Sequence, residues 1–172
     1  MRDLASVAER VWYDDGLAPG AARALLAPWA ALFAAGVAAR GALFARGVLA
    51  SHALAVPAMG VGNLTVGGTG KTPVAAWLAA ELRARGGRPA IVLRGVGGDE
   101  PRVHALLNPD APVVADADRV RGVATARARG ADVAVLDDAF QHRRARRDAD
   151  LVLVSAEWFV TPTRLLPAGP YR

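Results

Sequence analysis

The sequence predicts an α/β fold, a three-layer sandwich with a mostly parallel sheet, preceded by an apolar N-terminal helical segment. Three observations carry this. From Ala55 onward, short apolar runs alternate with stretches of helical periodicity, the pattern of strands joined by crossover helices. A glycine-rich loop stands between the first such run and the first such helix. Ahead of them lies an uncharged, alanine-rich stretch over 24–39. The chain accordingly divides into a helical segment over 1–54 and an α/β domain over 55–172.

Residues 1–20 are polar and mixed, ending in Gly16, Pro19 and Gly20. Asp3, Glu9, Asp14 and Asp15 precede any apolar run, so this opening does not read as a signal peptide. The uncharged stretch that follows contains Pro28 and Gly36 and is flanked by Arg23 and Arg40. It is shorter than the roughly 20 apolar residues of a membrane span. Three readings stay open: a helix lying in a membrane interface through Trp29 and Phe33, a buried packing helix, or a transmembrane helix. Residues 56–61 read as a strand and 63–72 as a loop. Residues 73–85 read as a helix, with Val74, Trp77, Leu78 and Leu82 at helical spacing and Gly86 and Gly87 as the stop. Strands are expected at 89–93, 111–114, 133–136 and 151–154. A short helix is expected near 103–107 inside an otherwise loop-like 94–112, and a longer one over 119–129, closed by Gly130.

Apolar residues make up 53% of 172, enough to bury a core and to exclude a disordered chain. Cysteine is absent, which excludes disulfides and thiolate metal sites. The net charge of +5 is compatible with nucleic acid, an anionic membrane surface or a phosphorylated substrate. Of 21 Lys and Arg residues, Lys71 alone is lysine. Base composition accounts for the arginines. The exception places a compact ammonium where a planar guanidinium would differ in shape and hydration. A single lysine with no Asn-Lys-x-Asp also excludes the guanine-specific motif.

Thr65, Val66, Gly67, Gly68, Thr69, Gly70, Lys71 and Thr72 form the loop between strand and helix. This is the setting of a P-loop. Glycines let successive N–H groups surround phosphate oxygens, and the helix start adds free donors and its dipole. Lys71 is placed to reach the β- and γ-phosphates and Thr72 to complete a Mg²⁺ shell. The strict pattern has Gly where Thr65 stands. The predicted fold is therefore P-loop NTPase-like.

The strand 133–136 runs into Asp137 and Asp138, a carboxylate pair at the sheet edge where such folds bind ligands and hold Mg²⁺. Gln141, His142 and Arg143 follow. His142 could touch nucleotide or substrate, or cap a helix. Arg143, Arg144, Arg146 and Arg147 read as a solvated helix face or as a surface for a phosphorylated substrate or acidic headgroups. Asp99 and Glu100 lie in a Gly-Asp-Glu-Pro segment that is either a plain turn or the source of a general base.

The blocks together resemble the tetraacyldisaccharide 4′-kinase family. The resemblance rests on 61–73 with its loop Thr65, on Arg94-Gly95, on Gly98-Asp99-Glu100-Pro101, on Asp118-Arg119-Val120, on 137–143, and on Leu166-Pro167-Ala168-Gly169-Pro170. It implies transfer of the ATP γ-phosphoryl group to the 4′-hydroxyl of an acylated disaccharide 1-phosphate, with ATP and Mg²⁺ required and no nucleic-acid partner. It implies that Lys71 and residues 65–72 bind ATP, that Thr72, Glu100, Asp137 and Asp138 serve the metal, and that Asp99 takes the hydroxyl proton, with Lys71 and Asp138 also catalytic. Asn63, Gln141, His142 and Arg143 are the candidates for substrate contact. The apolar helix would seat the chain, peripheral or monotopic, on the cytoplasmic face of the bacterial inner membrane. Ala139 stands where the family usually has Gly, Val96 where an aromatic is usual, and the stretch before Gly98 is shorter. The family continues into a second α/β domain beyond the Pro-Ala-Gly-Pro block, which supplies a His partner to the catalytic Asp. The chain is accordingly expected to be the N-terminal part of a longer protein.

Overall fold

A computed structural model describes residues 2–95, 98–156 and 163–172; Val96 lies outside them. The chain forms two compact units, one of Met1–Val48, Leu64–Gly67 and Ala156–Arg172, the other of Leu49–Asn63 and Gly68–Ser155.

In the first unit, helix α1 (Arg2–Tyr13) and helix α2 (Leu17–Ala45) pack together. Arg23 fastens their junction, its Nη1 donating to the carbonyls of Val11 at 2.9 Å and Asp14 at 2.8 Å. The segment read as polar and mixed is thus a helix. Glu9 and Arg10 are exposed on it, while Val11 is half-buried. α2 runs well past the uncharged stretch at both ends, taking in Arg23 and Arg40. At 29 residues it is about 43 Å long. It is long and apolar enough to cross a membrane. None of its residues is buried, and Leu25, Trp29 and Leu32 are exposed. The rest of this unit is stapled by backbone bonds. Thr65 bridges Tyr171, Val66 N donates to Pro170 O, and Arg172 N donates to Leu64 O. The first half of the glycine-rich loop is held this way.

The second unit is built on five strands: β2 (Ala58–Asn63), β3 (Pro89–Leu93), β4 (Val113–Ala115), β5 (Val133–Asp137) and β7 (Ala149–Leu153). Their order is β4-β3-β5-β2-β7 and every pairing is parallel. A small parallel pair, β1 (His52–Ala53) and β6 (Ala145–Arg146), stands beside it. Alternation along the strands splits the core in two. Val61, Ile91 and Val135 face helix α3 (Lys71–Ala84) and its Ala75, Leu78 and Ala79. Ala90, Val92, Ala134 and Leu136 face helix α5 (Arg119–Ala128) through Val123 and Ala126. Helices on both faces of a parallel sheet make the three layers. Asp118 caps α5, accepting from Val120 N at 3.0 Å.

Three local readings are refined. Trp77 is 60% exposed, because the helix meets the sheet through its alanines and Leu78, a close approach a bulky indole would prevent. The segment containing Pro101 is not a plain turn but opens helix α4 (Glu100–Leu107), with proline in the first turn, where its missing N–H costs nothing. The arginine run is no helix: it passes through a turn into β6. Arg147 there is only 8% exposed in its side chain. It pairs with Asp150 at 2.7 Å and donates to the carbonyls of His142 and Ala145, in space left by the absent side chain of Gly60.

Candidate active site

The site is assembled where β2 and β5 end side by side. Val61 is in register with Asp137, and the chain leaves β2 through Asn63 two residues later. α3 then begins at Lys71, one residue after Gly70, whose φ of 77° lies in the left-handed region. Glycine adopts that conformation without strain, and it turns the backbone so that the helix N–H groups open toward the sheet edge. A side chain added at Gly68 or Gly70 would meet nothing within 4 Å, so the loop faces open space.

Lys71 and Asp138 come together across this gap, Nζ to Oδ1 3.8 Å. The Lys71 side chain is 17% exposed and that of Asp138 47%. Asp138 has a φ of 50°, unusual for a residue with a side chain, though aspartate tolerates it better than most. Asp137, by contrast, is 3% exposed. Its Oδ2 is 2.8 Å from His104 Nε2, while its Oδ1 is buried without a hydrogen-bond partner among the described residues. Thr69 Oγ1 is likewise buried and unpartnered there.

Arg119, 3% exposed, packs beneath the aspartates. Its Nη1 donates to Asp116 O at 2.9 Å, Nη2 stands 3.5 Å from Asp137 O, and Nε has no partner among the described residues. Burial pulls its pKa below the usual arginine value, against the opposing pull of Asp138. His104 and Arg119 are the groups that the sequence reading did not assign. A lone histidine one turn into α4 gives no signal until Asp137 is seen beside it.

The remaining candidates are placed as follows. Asn63 is fully buried, and its carbonyl accepts from Gln141 Nε2 at 2.7 Å, which fixes the loop after β5 against the end of β2. Ala139 is fully buried in the core and its N–H bonds Val61 O, so an alanine is accommodated in that turn. Asp99 and Glu100 are exposed at the start of α4, Asp99 without a side-chain cap bond. Arg143 is exposed, its carbonyl accepting from Ser51. Thr72 lies half-buried in the first turn of α3. Thr65, Val66 and Gly67 belong to the first unit. A cavity of about 250 Å³ at the opposite strand ends, lined by Arg83, Arg88, Asp110 and Arg129, gathers no comparable chemistry; Arg83 and Arg88 are already paired with Asp110 and Asp132.

His142 is half-buried with Nε2 unpartnered among the described residues. Burial lowers its pKa from the ordinary 6.5, helped by Arg119, Arg147 and Arg144 and opposed by Asp118. A folded pKa below the unfolded one means that the neutral ring is preferred in the fold. The stability it contributes is complete above the unfolded value and is lost as pH falls below it. Urea midpoints measured between about pH 7.5 and 5 should therefore drop less steeply for His142→Gln than for the wild type. Equal slopes would refute the assignment.

The donor set suits a magnesium nucleotide. Among the described residues no three His, Asp or Glu side chains converge as a cage. Magnesium at nucleotide sites uses one or two carboxylates together with phosphates and water. A buried Asp137 oxygen with no hydrogen-bond partner among the described residues, beside an Asp138 that reaches Lys71, meets that requirement.

Comparison with known proteins agrees in extent and in kind. Residues 22–172 match the family described as LpxK, tetraacyldisaccharide-1-P 4′-kinase. A tetraacyldisaccharide 4′-kinase of Halorhodospira halophila is 45% identical over 94% of this chain and 54% of its own length. One from an Anaeromyxobacter species is 42% identical over 97% of this chain and 52% of its own. A crystal structure described as LpxK from Aquifex aeolicus in complex with ATP superposes with a TM-score of 0.79 at 35% identity, covering 87% of this chain and 54% of that one. The chain spans about half the length of the curated relatives it matches. With a family match running from the middle of the N-terminal helices through the loop, the aspartates and the last residue, the chain belongs to the tetraacyldisaccharide-1-P 4′-kinase family.

Proposed function

We propose that this chain carries the nucleotide site of a kinase that phosphorylates the 4′-hydroxyl of a tetraacyldisaccharide 1-phosphate. The observation that carries the reading is the approach of Lys71 Nζ to Asp138 Oδ1 at 3.8 Å, across an open glycine loop. Bound Mg²⁺·ATP supplies the transferable phosphoryl group and neutralises charge during its transfer. The chain's own groups do the rest. Residues 65–72 bind the phosphates through backbone N–H groups, and Lys71 places its ammonium at the β- and γ-positions. Thr72, Asp137 and Asp138 hold the metal, supported by Glu100. Asp99 accepts the proton of the attacking hydroxyl. Asn63, Gln141, His142 and Arg143 contact the disaccharide. The helical segment over 1–54, with α2 unburied and apolar, seats the chain on the cytoplasmic face of the inner membrane beside its acylated substrate.

Calorimetric titration of the chain with ATP should show binding that tightens with Mg²⁺. Radiolabel should pass from ATP to the lipid disaccharide when the chain is extended to the full length of its relatives. Binding without transfer would leave a P-loop kinase for another small molecule. No binding at all would end the kinase reading.

A further inference from the structure

We infer that His104 is a positioning residue for Asp137: its imidazole sets the carboxylate's rotation and ties the helix that bears Asp99 and Glu100 to the metal side of the site. The inference rests on the nucleotide reading above and adds a residue to it.

α4 is poorly held by apolar contacts. Leu106 is 82% exposed and Leu107 56%. The side chain it buries is His104, at 0% exposure. Two polar contacts anchor the helix instead. His104 Nε2 donates to Asp137 Oδ2 at 2.8 Å, and just past the helix end Asn108 Nδ2 donates to Ala76 O at 3.1 Å. An ionised carboxylate only accepts, so Nε2 carries the hydrogen in this bond. A histidine whose task was to fill space would not need a buried carboxylate opposite it, because burying both groups is costly unless they are paired.

The pair is also asymmetric in a useful way. Asp137 has one oxygen tied by His104, and its other oxygen is buried without a partner among the described residues. Fixing one oxygen removes the rotation of the carboxylate and presents the second in a single direction, as outer partners of metal ligands do. The same bond lies about 6 Å along the helix from Glu100, four residues at 1.5 Å each. His104 therefore reads the position of Asp137 and passes it to the acidic start of α4.

The test is ATP affinity of the chain, measured by calorimetry with and without Mg²⁺, for the wild type, His104→Gln and His104→Leu. Gln can still offer a donor to Asp137; Leu cannot. The expected result is that His104→Leu matches the wild type within about threefold without Mg²⁺ but loses at least about tenfold of the gain that Mg²⁺ brings. His104→Gln should keep most of that gain. If His104→Leu does not fold, His104→Asn, too short to reach Oδ2, takes its place with the same expectation. A folded Leu or Asn variant with the full Mg²⁺ gain overturns the inference alone. So does an equal loss with and without Mg²⁺, which is what a purely structural histidine would give. A wild type whose ATP affinity ignores Mg²⁺ overturns the nucleotide reading, and the inference falls with it.

Discussion

Lys71→Ala should weaken ATP binding by about a hundredfold while leaving the melting temperature nearly unchanged. Lys71 sits at the first position of α3 with its side chain 17% exposed and its Nζ 3.8 Å from Asp138. A charge-assisted contact to phosphate at such a partly desolvated position is worth about 3 kcal/mol, and every 1.4 kcal/mol is tenfold in affinity. The fold has little to lose, since alanine is the better helix former and the backbone N–H groups of the turn remain. Lys71→Arg should not restore binding, because a planar fork replaces a point charge in a loop shaped for the latter. A calorimetric titration that finds Lys71→Ala binding within threefold of the wild type would remove the loop from the phosphate site.

Gly62→Ala should cost about 3 kcal/mol of stability, roughly 10 °C in melting temperature. A methyl group at this β2 position would collide with Phe140 Cβ and lie 3.0 Å from its backbone N and 3.2 Å from its Cα. Backbone cannot swing aside as a side-chain tip can, so the turn carrying Asp138 would be displaced. ATP affinity should fall with stability. Gly68→Ala is the contrast: a methyl there meets nothing within 4 Å, and thermal melting should register no change. A Gly62→Ala chain that melts with the wild type would show that the turn after β5 is free to move.

Strand β3 could be read from the sequence to the residue, because a fully buried strand in a parallel sheet is a continuous apolar run, and PAIVL is one. β5 was legible for the same reason, and Asp137 proves to be its last residue. The loop and aspartates announced themselves by residue type. α1 did not, since acidic residues masked a helical spacing of apolar ones. The second half of α4 was legible as a short helix near 103–107, but its start at Glu100 was not, because Pro101 marks both turns and first helical turns. β1 and β6 have two residues each, too few for any periodicity. Arg147 looked solvated because a buried guanidinium depends on partners that sequence does not display: a glycine across the sheet at Gly60 and a carboxylate at Asp150. His104 and Arg119 escaped for the same reason, both defined by what the fold brings to Asp137.

The neighbours of β2 have a bearing on biosynthesis. It pairs with β5 at Ala58↔Ala134 and with β7 at Met59↔Ala149, partners some 76 and 90 positions further along the chain. A ribosome therefore releases this strand, and the phosphate loop behind it, with helix α3 to pack on but long before either neighbouring strand exists. Until Asp137 has cleared the exit tunnel, the earliest-made part of the sheet has no strand beside it, and the side of the site that Asp138 supplies does not yet exist.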